Sequence, residues 1–271
     1  MHGDSGWSFP ATSALDAAVL LALFSGVFLV GWARARHRYV DAVWGSAFAL
    51  VAVVTLTLSG GHGDTARKVL LTACTVIWGL RLSVHIAWRG RGAPEDPRYA
   101  AMLSRAGGNP AWAAYTRVYL LQALLVWFIS LPVQAGMFAS GRSAVGTVLL
   151  AAGFGLWLLG LGFESVGDWQ LARFKADPAN RGRLMASGLW RYTRHPNYFG
   201  DACVWWGLFL IAAGAWPAAL TVASPVLMTW LLVAGSGKPL VEAHLSETRP
   251  GYADYAARTS SFLPRRPKAK D

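Results

Sequence analysis

The sequence predicts an all-α integral membrane protein with seven transmembrane helices, an outer N-terminus and a cytosolic C-terminus. Of its 271 residues, 54% are hydrophobic and only 14% are charged, against roughly a quarter charged in soluble domains. Apolar runs of about 20 residues, the length that crosses a bilayer core, recur along the chain. Residues 1–271 are therefore expected to form a single membrane domain.

Seven apolar runs account for the predicted spans. Only Gly214 and Ala215 separate the last two runs, and Pro217 follows closely, so these two helices are expected to form a tight hairpin. The predicted spans are Ala14–Trp32, Val40–Leu58, Val69–Trp88, Arg117–Phe138, Ala144–Phe163, Tyr198–Ala213 and Trp216–Ala234.

The basic residues predict the orientation. The chain has 25 Lys and Arg residues and a formal net charge of +11. All of them except Arg67, Lys68 and Arg142 fall in segments that this topology places in the cytosol, as the positive-inside rule requires. The same charge in a soluble protein would suggest nucleic acid binding. Here we expect no nucleic acid and no obligate protein partner, and an anionic ligand at the cytosolic loops is the second explanation.

Other common sites are not predicted. Cys74 and Cys203 lie inside apolar runs without metal-ligand spacing, so we expect buried thiols and no metal site. The fifth predicted helix contains glycines that no strand precedes, which excludes a Rossmann dinucleotide loop and favours close helix packing. These glycines are Gly153, Gly155, Gly160 and Gly162.

Two polar clusters lie at predicted cytosolic ends of the N-terminal helices. Asp41 begins the second helix, and it either pairs with Arg36 or Arg38 or meets a substrate that enters from the bilayer. Arg81, His85 and Arg89 are spaced four residues apart on the third helix and so share one face. Arg81 is expected to need a partner or an anionic ligand. The carboxylates that follow, Glu95 and Asp96, are expected to fix their loop.

The richest cluster runs from Glu164 to Asp201. Glu164 and Asp168 share one face at the end of the fifth predicted helix, four basic residues follow, and Asn197 and Asp201 open the sixth helix. A plain positive-inside loop accounts for the basic residues but not for the acids and Asn197. A ligand with several phosphates would use such a set, because Arg and Lys bind phosphate and carboxylates bind hydroxyl groups. The basic residues are Arg173, Lys175, Arg181 and Arg183.

These residues resemble a known family. The segment Gly162–Gly207 is similar to the C-terminal core of the steroid 5α-reductase family, above all to its bacterial branch, long classed as a domain of unknown function. The motifs Asp41–Gly45 and Glu95–Tyr99 and the ending Tyr252–Pro264 also fit that branch. The resemblance covers most of the chain from about Arg38 to Pro264.

The resemblance implies seven membrane helices and NADPH bound from the cytosolic side without a Rossmann fold. It implies a substrate side within residues 14–143 and a cofactor-binding core within residues 144–264. Cofactor positions carried over by motif are Asp168, Lys175, Arg183, Asn197, Tyr198 and Asp201, together with Arg81 and, in the same blocks, Arg173, Arg194, His195, Tyr255 and Arg258.

The implied reaction reduces the carbon–carbon double bond of an apolar enone such as a 3-oxo-Δ4 steroid, which enters from the bilayer of the bacterial inner membrane. The eukaryotic enzymes grip the ketone with a Gln and a Glu on the second helix and a Tyr on the third, a set that this chain lacks. Asp41 is the only acid on its second helix and is the predicted proton donor, with Glu164 in reserve.

Two rival functions remain open. Membrane methyltransferases that use S-adenosylmethionine share the Arg-His-Pro-x-Tyr-x-Gly block found at Arg194–Gly200, but their cofactor carries no phosphate. A channel or transporter would place charged residues at mid-bilayer depth, whereas here they cluster near the cytosolic ends. The basic residues between Arg173 and Arg194 suit a cofactor with phosphate groups and so favour the reductase.

Overall fold

The structure is a computed structural model that describes residues 7–105, 107–141, 143–235 and 237–269, the side chains of Pro97 and Arg98 excepted. Within these ranges it contains helices and no β-strand. Arg142 and Lys270, which entered the topology prediction as an outer and a cytosolic residue, lie outside the described residues.

Helices account for most of the described chain. The α-helices of the described residues are α1 (Phe9–Ala33), α2 (Tyr39–Leu58), α3 (Thr65–Arg89), α4 (Pro97–Ser104), α5 (Pro110–Ala114), α6 (Leu121–Ile129), α7 (Leu131–Phe138), α8 (Ala144–Ala176), α9 (Pro196–Ala213), α10 (Ala223–Val233), α11 (Lys238–Thr248) and α12 (Tyr252–Arg258). A π-helical turn (Tyr115–Leu120) joins α5 to α6, and 3-10 turns occupy Pro178–Asn180, Gly188–Arg191 and Ala218–Val222.

Six of these helical stretches are long and apolar enough to cross a membrane. The chain is therefore an all-α, multi-pass membrane protein, as the sequence predicts. The predicted sixth helix forms as α9, but its 18 residues are not among the six stretches. The six are Phe9–Ala33, Tyr39–Leu58, Thr65–Arg89, Pro110–Phe138, Ala144–Ala176 and Ala218–Thr248.

Helix starts follow local chemistry. Asp64 accepts a hydrogen bond from the backbone N–H of Arg67 at 2.9 Å and so caps α3. Asn109 caps α5 in the same way and is followed by Pro110, whose fixed φ suits the first helical turn. Helix α8 continues beyond the predicted membrane span, which ends at Phe163, to Ala176, and it therefore carries Glu164 and Asp168 as predicted.

The chain divides into two compact units. The first comprises residues 1–150 and 211–224, and the second comprises residues 151–210 and 225–271. In the first unit α2 and α3 cross where Gly45 and Gly79 meet, because a Cβ on Gly45 would lie 2.3 Å from the carbonyl oxygen of Gly79. Glycine is required there by close approach of two backbones.

Two of the predicted outer basic residues are buried in the first unit. The Lys68 ammonium donates to the carbonyl oxygens of Ser59 and His62 at 2.8 Å each, just after α2 ends. The Arg67 guanidinium donates to the carbonyl oxygens of Ala139 and Gly141, just after α7 ends. Carbonyl groups at the C-terminal end of a helix have no partner within the helix and attract positive charge. Lys68 and Arg67 therefore satisfy carbonyl groups where α2 and α7 end.

In the second unit, α8 and α9 pack through glycines. A Cβ on Gly160 would lie 2.5 Å from the carbonyl oxygen of Gly200, and one on Gly207 would lie 2.7 Å from that of Gly153. Close helix packing is thus confirmed for Gly153 and Gly160. It is wrong for Gly155 and Gly162, around which a Cβ would meet nothing within 4 Å.

Candidate functional site

The first unit builds a polar site from three segments that are far apart in sequence. Glu95 accepts hydrogen bonds from the backbone N–H groups of His37 and Arg38 and so fixes the connection between α1 and α2. The Arg38 guanidinium donates to the carbonyl oxygen of Pro94 at 2.7 Å. Glu95 also accepts from the N–H of Asp96, which confirms that it fixes its own loop.

Asp41 pairs with a residue that sequence reasoning did not select. The Tyr99 hydroxyl, from the first turn of α4, donates to the Asp41 Oδ1 at 2.6 Å. Both side chains are half-buried, so the pair is partly accessible. Tyr99 belongs to the Glu95–Tyr99 motif, but only the fold brings it to a carboxylate 58 residues away.

A second hydrogen-bonded pair, fully buried, lies in the same unit. The His37 Nδ1 and the Tyr119 hydroxyl are 2.9 Å apart, and both side chains are buried. Burial lowers the pKa of His37, and the nearby Glu95 carboxylate opposes that shift. Neither His37 nor Tyr119 was predicted as a site residue, because neither lies in a recognisable motif.

Arg81 is the one predicted cofactor residue in the first unit. It is half-buried on α3, about two turns before the helix ends at Arg89. The other predicted cofactor residues and Glu164 belong to the second unit, whereas Asp41 belongs to the first.

The second unit brings several predicted residues together where α8 faces the start of α9. The Asn197 side-chain amide donates to the Asp168 Oδ1 at 3.3 Å. Glu164, one turn earlier on α8, is buried against Gly200, where a Cβ would lie 2.6 Å from the Glu164 backbone nitrogen. Asp201 is buried one turn after Asn197. Asp168 and Asn197 therefore meet between α8 and α9, and the buried carboxyl groups of Glu164 and Asp201 lie one turn away along their helices.

His195 and Arg194 are engaged by a residue that the sequence did not indicate. The Glu242 Oε1, on α11, lies 3.0 Å from both the His195 Nε2 and an Arg194 Nη2. The His195 ring stacks on Tyr198 with ring centroids 5.2 Å apart and planes within 5°. Glu242 belongs to no motif in the sequence, so no sequence pattern indicates it as a site residue.

The segment around His195 is fastened by the C-terminal residues. The Tyr255 hydroxyl donates to the carbonyl oxygen of Trp190, and burial raises its pKa. The Thr193 hydroxyl donates to the carbonyl oxygen of Phe262 at 2.7 Å, and the Arg194 N–H donates to that of Ser260 at 2.9 Å. In this arrangement Tyr255 holds the loop that carries Arg194 and His195.

The remaining predicted cofactor residues are exposed. Arg173 lies over the ring of Trp169 at 5.6 Å, and Arg258 donates to the carbonyl oxygen of Asp254 at 3.2 Å. Exposed cations keep their charge in water and can bind an anion without the cost of burial. The exposed set comprises Arg173, Lys175, Arg183 and Arg258.

A metal centre finds no support in the part of the chain that the structure describes. There, no group of three or more His, Cys, Asp and Glu side chains could hold a metal ion.

The His195 environment predicts an acid-sensitive stability. Burial lowers the pKa of His195 below its ordinary value of 6.5, against the raising effect of Glu242. The unfolded chain then binds the proton more readily, so the free energy of unfolding should decrease as the pH falls below about 6.5. His195→Gln should flatten this slope in thermal unfolding of detergent-solubilised protein, whereas His244→Gln on exposed α11 should keep it. An unchanged slope in His195→Gln would contradict this assignment.

Comparisons with known proteins place the chain in a family. An uncharacterized protein of Schizosaccharomyces pombe is 24% identical to it over 94% of this chain and 80% of that protein. No solved structure matches. The family model described as "Protein of unknown function (DUF1295)" matches residues 27–259, which is most of the chain. The protein therefore belongs to the DUF1295 family.

Proposed function

We propose that the chain is an NADPH-dependent reductase of a carbon–carbon double bond conjugated to a ketone, with an apolar, steroid-like substrate. The observation that carries the proposal is the hydrogen-bonded pair of Tyr99 and Asp41 at the end of a membrane helix. An enone reductase needs an acid at the carbonyl oxygen, and an acid beside the bilayer suits an apolar substrate that enters from the lipid.

The residues of the second unit fit a cofactor with phosphate groups. The Arg194 Nε is buried and has no hydrogen-bond partner among the described residues, so its N–H can donate a hydrogen bond to an anion. Asp168 and Asn197 offer acceptors and donors for hydroxyl and amide groups. The exposed Arg173, Lys175 and Arg183 add positive charge. NADPH, when bound, would supply the hydride.

In this proposal Asp41 is the acid of the pair, and Tyr99 supports it. A protonated Asp41 would donate its proton to the ketone oxygen, while the Tyr99 hydroxyl donates to its Oδ1. The charge that develops on that oxygen during reduction is stabilised by this donor. The carboxylate that remains keeps the hydrogen bond from Tyr99, which stabilises it.

Cofactor binding tests the proposal directly. NADPH at 100 times its dissociation constant should stabilise the detergent-solubilised protein by about 2.7 kcal/mol in thermal unfolding. NADH should bind more weakly, because a 2′-phosphate adds charge-assisted hydrogen bonds of about 1.5–3 kcal/mol each. If S-adenosylmethionine stabilises the protein and NADPH does not, the proposed function would change to that of the membrane methyltransferases, which share the Arg194–Gly200 block.

The proposed topology has seven spans, an outer N-terminus and a cytosolic C-terminus in the bacterial inner membrane. An 18-residue helix such as α9 is about 27 Å long, close to the ~30 Å hydrocarbon core. Asn197 and Asp201 lower its mean hydropathy but lie in its first two turns. Reporter fusions after Arg38, Gly92 and Arg183 and at the C-terminus should report the cytosol, and those at Gly61 and Gly141 the outer side. An outer-side report at Arg183 would exclude this topology.

A further inference from the structure

A polar pocket of about 280 Å³ opens in the first unit, where α2 begins and α3 ends. Its charged lining belongs to the α1–α2 connection, to α2, to the end of α3 and to the segment after α3. Four guanidinium groups face two carboxylates, which leaves an excess of positive charge. The charged lining residues are Arg36, Arg38, Asp41, Arg89, Arg91 and Asp96.

One arginine of the pocket is held in place. The Arg38 guanidinium donates from Nη1 to the carbonyl oxygen of Pro94, and its Nη2 lies 2.7 Å from where a Cβ on Gly90 would be. Glycine after α3 thus lets the guanidinium lie against the backbone. Arg36, Arg89 and Arg91 are exposed at the rim, with their charge available to a ligand. Asp41 already accepts the Tyr99 hydroxyl.

The helix ends beside the pocket carry exposed tryptophans. Trp88, next to Arg89 at the end of α3, is 54% exposed, and Trp32 near the end of α1 is 45% exposed. Exposed tryptophan at the ends of membrane helices is typical of the headgroup region. Val84, one turn before Trp88, is 68% exposed on the same apolar helix, as a lipid-facing residue would be.

We propose that this pocket binds a phosphate group, supplied by the headgroup of an anionic phospholipid. Guanidinium groups bind phosphate oxygens through paired, charge-assisted hydrogen bonds. The exposed apolar surface of α3 would contact the acyl chains. Basic pockets between membrane helices bind such headgroups. A soluble phosphate compound offers the same chemistry to the arginines. The pocket shares Asp41 with the proposed reduction, but its four arginines take no part in that reduction, so phosphate binding does not depend on it.

Titration calorimetry without NADPH tests the proposal on detergent-solubilised full-length protein. The ligands are short-chain phosphatidylglycerol, short-chain phosphatidylcholine and inorganic phosphate at constant ionic strength. The pocket variant is Arg89→Gln/Arg91→Gln. The matched control, Arg265→Gln/Arg266→Gln, removes the same charge from two exposed C-terminal residues. Thermal unfolding of each variant checks that it is folded.

Phosphatidylglycerol should bind the wild-type protein and the control variant with equal affinity. It should bind the pocket variant at least about tenfold more weakly, since two charge-assisted contacts are lost. If inorganic phosphate alone shows this pattern, the phosphate pocket stands and its ligand is soluble. Equal weakening in pocket and control variants would overturn the proposal, because it indicates general surface attraction. Equal binding of phosphatidylcholine and phosphatidylglycerol, or no binding by wild type, would overturn it as well.

Discussion

Asp41→Asn should keep NADPH binding and lower the rate of hydride transfer to a Δ4-3-ketosteroid by roughly 10²–10⁴-fold, the usual contribution of a general acid. Tyr99→Phe should lower the same rate by a smaller factor, roughly 10–10²-fold, because it removes one hydrogen bond to a charged group, worth about 1.5–3 kcal/mol. The 2.6 Å hydrogen bond between Tyr99 and Asp41 makes the two effects dependent on each other. The double variant should therefore be no slower than Asp41→Asn alone.

Single-turnover kinetics at saturating NADPH measure this step, and thermal unfolding serves as the control. If the pair only fastens α4 to α2, both variants lose stability while the rate of hydride transfer in the folded fraction stays at the wild-type value. If turnover survives Asp41→Asn but collapses in Glu164→Gln with cofactor binding unchanged, the donor is Glu164, which is buried on α8.

Gly160→Ala should destabilise the protein by about 1–3 kcal/mol or more, as overpacking of a close contact does. The new methyl group would lie 2.5 Å from the carbonyl oxygen of Gly200 and 2.7 Å from the backbone nitrogen of Val204. Backbone atoms of a packed helix cannot move aside as the end of a flexible side chain can. Helices α8 and α9 would have to separate, which would disturb the Asp168–Asn197 contact.

Gly162→Ala is the matched control. It makes the same change two residues away on the same helix, at a position where a Cβ meets nothing within 4 Å. Alanine favours a helix over glycine by about 1 kcal/mol, so this variant should be unchanged or slightly more stable. Thermal unfolding in detergent compares the two. Equal effects of Gly160→Ala and Gly162→Ala would show that α8 and α9 do not touch as described.

The apolar runs by themselves predict the class of this protein and most of its helices, because each run must satisfy its backbone hydrogen bonds internally in lipid. The starts of α2 and α9 fall within two residues of their predicted positions. The end of α8 at Ala176 was not predicted, since hydropathy marks where a helix leaves the bilayer and not where the helix itself ends. Which glycines touch was likewise undetermined, because helix rotation is set by packing against neighbours.

Candidate site residues divide in the same way. The motif around Asn197 and the acids on α8 could be selected from sequence because they are polar residues in or beside apolar runs, where burial without a partner is costly. Tyr99 and Glu242 could not be selected from sequence. Tyr99 contacts Asp41, 58 residues away, and Glu242 contacts His195, 47 residues away, and only these contacts make them candidates. Sequence spacing determines which residues share a helix face, but the partner of a hydrogen bond between distant segments exists only once the helices have packed.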